Sequence, residues 1–170
     1  MQMIKYSILF IILLTTTLIG RLLGRNYIYR LNELEEMKNA LNIFKTKIKF
    51  TYEPIPEVFK EISENINKNI GNIFKNATEK MEKTTNANIA WEEAIEESNT
   101  NLKKEDKKVI KTLSKMLGQT DVEGQISQIE ITEEFLKKQI KDAIREKEKN
   151  EKLYTRLGSI VGLAIVIILC

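Results

Sequence analysis

The chain has 170 residues, 30% of them charged, a formal net charge of +3, no histidine and a single cysteine, Cys170. That inventory excludes histidine-based triads, zinc sites and disulfide frameworks. All 24 acidic residues lie between Asn26 and Arg156 with 24 of the 27 basic ones, the other three being Lys5, Arg21 and Arg25, so the middle is neutral and lacks the net basic face that nucleic-acid binding needs to displace counterions from phosphates.

The first apolar run is YSILFIILLTTTLIG at 6–20, extended past Arg21 by Leu22, Leu23 and Gly24. As a helix, Tyr6 to Gly24 reaches about 28 Å, close to the ~30 Å hydrocarbon core of a bilayer, with Arg21 snorkelling towards the headgroups. No A-x-A-like cleavage site follows, and Arg21 stands where a lipoprotein signal needs cysteine, so an uncleaved anchor over residues 1–25 is expected. Leu34, Met37, Leu41, Phe44 and Ile48 then recur at steps of three and four, with Tyr27 and Leu31 continuing the stripe backwards. The first helix is therefore expected to run on to about residue 50.

Pro54 and Pro56 stop it, and Ile55, Val58, Phe59, Ile62 and Ile66 mark a second helix. A break is expected at Gly71 and its asparagine-rich surroundings, ahead of Ile73, Phe74, Ala77 and Met81. TTNAN at 84–88 bends the chain into a helix carrying Trp91, Ala94 and Ile95. Val109, Ile110, Leu113, Met116 and Leu117 mark the next, closed by Gly118 as its C-terminal cap. Thr120 or Asp121 can cap the last helix, where Val122, Ile126, Ile129, Leu136 and Ile140 hold the spacing and Glu133 interrupts it. The charged stretch from Lys137 to Lys152 reads as a solvent-laced helix.

LYTRLGSIVGLAIVIILC at 153–170 is the second apolar run, about 27 Å as a helix, with Arg156 near the interface. Cys170 is expected to be a small apolar residue at a helix end, since prenylation needs three residues beyond the cysteine. Gly20-x-x-x-Gly24 and Gly158-x-x-x-Gly162 have the small-xxx-small spacing that lets membrane helices approach, on each other or on a partner. Arg21, Arg25 and Arg30 follow the first run and Lys147, Lys149, Lys152 and Arg156 precede the second. The positive-inside bias then puts residues 26–152 in the cytoplasm with both termini across the membrane.

The expected fold is all-α: a cytoplasmic helical bundle of about six helices over 26–152, with long antiparallel first and last helices, flanked by membrane helices at 1–25 and 153–170. Carboxylate pairs such as Glu92-Glu93 and Glu96-Glu97 sit on an amphipathic helix, no glycine-rich phosphate loop occurs, and no nucleophile has a candidate base. No catalytic residue, metal site, cofactor or small-molecule substrate is expected, and the chain reads as a non-enzyme. One alternative is a structural tether or signalling stalk dimerising through its long terminal helices, with the stripe at Leu41, Phe44 and Ile48 required for assembly.

AWEEAIEES at 90–98 followed by LGQTDVEGQISQIEIT at 117–132 closely resembles the stage III sporulation protein AB family. The matching positions are Trp91 and Ala94 of a Trp-x-x-Ala helix, then Leu117, Gly118, Asp121 and Gln125 of a Leu-Gly-x-x-Asp-x-x-x-Gln turn. TYEPIPEVF at 51–59 also looks like that family's entry to its second helix, and the resemblance spans essentially the whole chain. It implies a component of a mother-cell complex spanning the space around the forespore, set in the mother-cell membrane with its soluble domain in the cytoplasm. The family is similar to the F-type inner-membrane platform proteins of type II secretion and type IV pilus machines, which present helical bundles to a hexameric ATPase. The implied partners are the sporulation ATPase and membrane ring components. This chain departs from full platform proteins in having one such domain, and a homodimer could supply the second. In this reading Trp91 is a core anchor, Ala94 lies on the same helix, and Leu117, Gly118 and Asp121 build the turn. Glu92, Glu96, Glu123 and Gln125 are the candidate partner contacts, where a charge-mixed surface sets specificity more than affinity.

Overall fold

A computed structural model of the chain describes residues 2–51, 53–84, 86–118 and 121–169, with Gln2 described by its backbone only. Expectations placed on Cys170, on Thr120 as a cap and on Tyr52 of the TYEPIPEVF stretch lie outside these residues. The described residues form α1 (Gln2–Phe50), α2 (Ile55–Asn65), α3 (Lys68–Lys83), α4 (Ala87–Glu96), α5 (Lys104–Lys111), a 3₁₀ turn (Thr112–Met116) and α6 (Val122–Leu169), with no strand among them. The fold is the all-α one expected, with long first and last helices.

The chain divides into two compact units: residues 32–141, and residues 1–31 together with 142–170. Segments 26–31 and 142–152 thus go with the terminal helices. In the 32–141 unit, Leu34, Met37, Leu41, Phe44 and Ile48 of α1 are buried, as the stripe requires. They meet Val58, Phe59 and Ile62 of α2, Ile70, Ile73, Phe74 and Ala77 of α3, and Trp91, Ala94 and Ile95 of α4 in one core. Four rings lock its centre: Phe59 lies 5.0 Å from both Phe44 and Phe74 and 5.2 Å from Trp91, and Phe74 lies 5.1 Å from Trp91. These edge-on and tilted geometries suit ring quadrupoles.

The local stops follow ordinary backbone chemistry. Pro54 takes the N-cap position of α2 and Pro56 its first turn, where a missing N–H costs nothing. The break expected at Gly71 is instead at Ile66, whose extended backbone ends α2, and Asn67, whose side chain caps α3 by accepting from the Asn69 N–H at 3.1 Å. Gly71 lies inside α3, where a Cβ would stand 2.8 Å from the Ser63 carbonyl oxygen. It serves close packing of α3 on α2, not chain breaking.

The other unit is a pair of antiparallel helix segments in backbone contact. A Cβ on Gly20 would lie 2.8 Å from the Gly158 Cα, and one on Gly158 would lie 2.6 Å from the Thr16 carbonyl oxygen. Gly24 meets the Glu151 backbone in the same way, and Gly162 meets Leu13 and the Thr16 hydroxyl. The two small-xxx-small motifs therefore pack on each other. Tyr27 stacks on Tyr154 at 5.8 Å, and Arg30, 4% exposed, pairs with Glu146 at 2.8 Å. Thr15, Thr16 and Thr17 donate to carbonyls of the preceding turn at 2.8–3.0 Å, so their hydroxyls are satisfied within the helix. Most large apolar side chains of this unit point outward, among them Ile8, Phe10, Ile11, Leu18, Ile160, Leu163 and Ile167. Each terminal helix contains a stretch long and apolar enough to cross a membrane.

Candidate functional site

Helix α4 starts from Asn86, whose side-chain oxygen accepts from the Asn88 and Ile89 N–H groups at 3.1 and 3.4 Å. With the register so fixed, Trp91, Ala94 and Ile95 face the core and Glu92, Glu93, Glu96 and Glu97 face outward. Trp91 is fully buried, and its indole N–H donates to the Ile110 carbonyl at 3.2 Å. The ring thus joins α4 to the end of α5.

The outward carboxylates are laced to neighbouring helices. Ser114 donates to Glu92 at 2.7 Å, Lys80 of α3 holds Glu93 and Glu97 at 2.9 and 3.0 Å, and Lys111 pairs with Glu96. The hydrogen bond from Lys111 holds the Glu96 carboxyl below the usual carboxylate range, and those to Glu93 and Glu97 hold Lys80 above the usual lysine range. Glu92 and Glu96 remain exposed, one turn apart.

Leu117 is buried, and Gly118 has φ 71°, the left-handed conformation that ends a helix most cheaply at glycine. A Cβ there would meet Ala87 at an ordinary 3.6 Å, so backbone conformation, not space, calls for glycine. Asp121 then starts α6, its carboxylate accepting from the Gly124 N–H at 2.9 Å. Glu123 is exposed and Gln125 half-buried on the first turn of α6.

Two features escaped the sequence reading. Glu33, 5% exposed, accepts from the Asn101 N–H at 2.6 Å, the Asn101 amide at 3.0 Å and the Asn69 amide at 2.9 Å. This carboxylate pins the 98–103 loop and the start of α3 to α1. Its signal was available: it lies beside Leu34 on the inward stripe, where an acid must find donors. The second feature is on α6. Ile131 and Phe135, 46% and 49% exposed, stand one turn apart off the buried stripe. With Lys45, Ser127, Glu130, Glu133, Glu134 and Lys137 they line an open groove of about 530 Å³. Glu133, which interrupts the apolar spacing, accepts from Lys45 at 2.8 Å and so is paired where it enters the core edge.

A large apolar pair framed by both signs of charge is the composition of a protein-contact patch: anchors that desolvate, with a rim that selects. Residues 5–170 match the profile of the family described as stage III sporulation protein AB. Stage III sporulation protein AB of Bacillus subtilis (strain 168) is 24% identical over 161 residues, covering 93% of this chain and 94% of that protein. A solved structure of stage III sporulation protein AB superposes with a TM-score of 0.66 at 20% identity, covering 71% of this chain and 98% of that one.

Proposed function

The chain belongs to the stage III sporulation protein AB family, and from that premise we propose that it is a membrane-anchored platform of a sporulation secretion-like complex, docking a cytoplasmic ATPase at the mother-cell membrane around the forespore. The observation that carries the reading is the division of the chain into an aromatic-cored helical domain and a helix pair with its apolar side chains outside. Exposing that much apolar surface to water costs about 25 cal/mol per Å², so lipid is its natural solvent. Arg21, Arg25, Lys152 and Arg156 at the inner ends of the apolar runs favour a cytoplasmic domain. Ile131 and Phe135 are the anchors we assign to the docking face, with Glu92, Glu96, Glu123 and Gln125 as further contacts.

We read the protein as non-enzymatic, with membrane ring components and a second copy as additional neighbours. Burial of Leu41, Phe44 and Ile48 within the chain's own core favours the platform reading over a tether that dimerises along that stripe. The test is co-purification of the full-length chain, in membranes, with the sporulation ATPase. Association is expected, and Ile131→Asp with Phe135→Asp should abolish it while leaving the far-UV spectrum and melting curve intact. Absence of association for the unaltered chain at high concentration sinks the platform reading. Association that survives the double variant but is lost with Glu92→Lys and Glu96→Lys moves the docking face to α4.

A further inference from the structure

The hairpin of α1 and α6 carries a groove of about 360 Å³ lined by Leu13, Leu14, Thr17, Leu18, Arg21, Ser159 and Leu163. Its walls are apolar or hydroxylated, and both hydroxyls are already used: Thr17 donates to the Leu13 carbonyl at 2.8 Å and Ser159 to the Thr155 carbonyl at 3.4 Å. What remains is the guanidinium of Arg21, exposed and without an ion-pair or hydrogen-bond partner among the described residues. Along α1 the lining runs from Leu13 to Arg21 over about 12 Å, so one cation stands at one end of an apolar trough. A second groove, formed by Thr16, Ile19, Gly20, Leu23, Tyr154, Leu157, Gly158 and Val161, has about 400 Å³ and no charged residue.

We propose that the Arg21 groove binds one anionic phospholipid, with an acyl chain against Leu13, Leu14, Leu18 and Leu163 and the headgroup phosphate on Arg21. The proposal rests on the reading that this unit lies in a membrane. Charge complementarity selects the occupant: an unpaired guanidinium at the end of an apolar run needs a partner that is anionic at one end and hydrocarbon at the other. Arginine suits a phosphate particularly well, since its planar fork donates to two oxygens at once. Ordinary snorkelling would require only the polar boundary; the groove adds a fixed seat beside the charge.

The test uses the full-length chain in nanodiscs of phosphatidylcholine doped with phosphatidylglycerol, with retained lipids counted by native mass spectrometry. One phosphatidylglycerol should be retained in preference to phosphatidylcholine. Arg21→Gln should cut that retention about fivefold, the weight of one cation at an anionic surface. Arg156→Gln should leave it unchanged, because Arg156 is exposed and lines neither groove although it lies between Tyr154 and Gly158, which meet Gly20. Ser159→Trp, which fills the groove and keeps every charge, should also lose the lipid. Equal losses from the two arginine variants would overturn the site in favour of diffuse charge. Retention unaffected by Arg21→Gln, with ATPase or ring-protein association lost instead, would give Arg21 to a protein partner. Failure of the unaltered chain to float with vesicles removes the membrane reading itself, and the lipid site with it.

Discussion

The same two helices, α1 and α6, solve opposite packing problems in the two units. In the 32–141 unit α1 contributes Leu34, Met37, Leu41 and Phe44 to a core whose centre is four aromatic rings. In the terminal unit it contributes Gly20 and Gly24, which bring backbone against backbone and leave the large side chains outside. The first arrangement draws its stability from removing apolar area from water. The second gains little from that, and depends on close van der Waals fit. A substitution therefore acts through volume lost in one unit and volume added in the other.

The largest effect expected is from Trp91→Ala. It deletes the ring that touches Phe59 and Phe74 and the indole bond to Ile110, and should destabilise the helical domain by about 3–5 kcal/mol. Chemical denaturation of the full-length chain in detergent, followed by far-UV circular dichroism, measures it. A loss under about 1 kcal/mol would mean that the ring cluster is not the organising core. Gly158→Leu reverses the logic: its Cβ would stand 2.6 Å from the Thr16 carbonyl oxygen and 2.9 Å from the Gly20 Cα, both backbone atoms. Overpacking of this kind costs about 1–3 kcal/mol. Spin labels at exposed Ile8 and Ile167, with Cys170 replaced by serine, should report a broadened distance, while the melting of the helical domain stays where it was.

Glu33→Ala comes next and probes a buried polar element of the helical domain. Three amide donors lose their acceptor, at about 1–3 kcal/mol. Hydrogen exchange should rise in the 98–103 loop and at the start of α3 before it rises at Trp91. Uniform loosening instead would show that Glu33 supports the whole core and not the loop.

Much of this architecture was legible because period and punctuation agreed. The α1 stripe from Leu34 to Ile48, the prolines at 54 and 56 and the turn at Gly118 each have one local cause, and the structure shows the corresponding helix, stop and left-handed cap. Gly71 misled because glycine serves two needs, chain reversal and close approach, and only the neighbouring Ser63 carbonyl tells them apart. The exposed pair Ile131 and Phe135 was hidden for a related reason: on a helix with several apolar residues, the stripe that is left over is known only once the buried one is placed. Glu33 could be read as an acid beside the inward stripe, but not which donors it takes, because Asn69 and Asn101 lie 36 and 68 residues away.

The smallest effect is that of pH, and it separates the units by chemistry instead of volume. Lys111 holds Glu96 in its charged form below the usual carboxylate range, so the folded state binds that proton less readily than the unfolded one. The stability this gives is present above the ordinary carboxylate pKa and is lost as pH falls through the lowered one. Lys80, raised by Glu93 and Glu97, behaves in the opposite sense: its contribution is full below the ordinary lysine pKa and is lost as pH rises through the raised one. Neither window reaches neutrality, and with no histidine in the chain no side chain ordinarily titrates between about pH 5 and 8. The melting temperature of the helical domain should therefore be flat across that range, with shallow losses on both sides that high salt reduces. The Gly20–Gly158 contact is made of backbone atoms that have nothing to protonate, so the label distance between Ile8 and Ile167 should not follow the acid limb. A midpoint near pH 6.5 in either measurement would require a titrating group shifted far from its ordinary range, and would break the assignment of pH sensitivity to the helical domain's lysine–glutamate pairs.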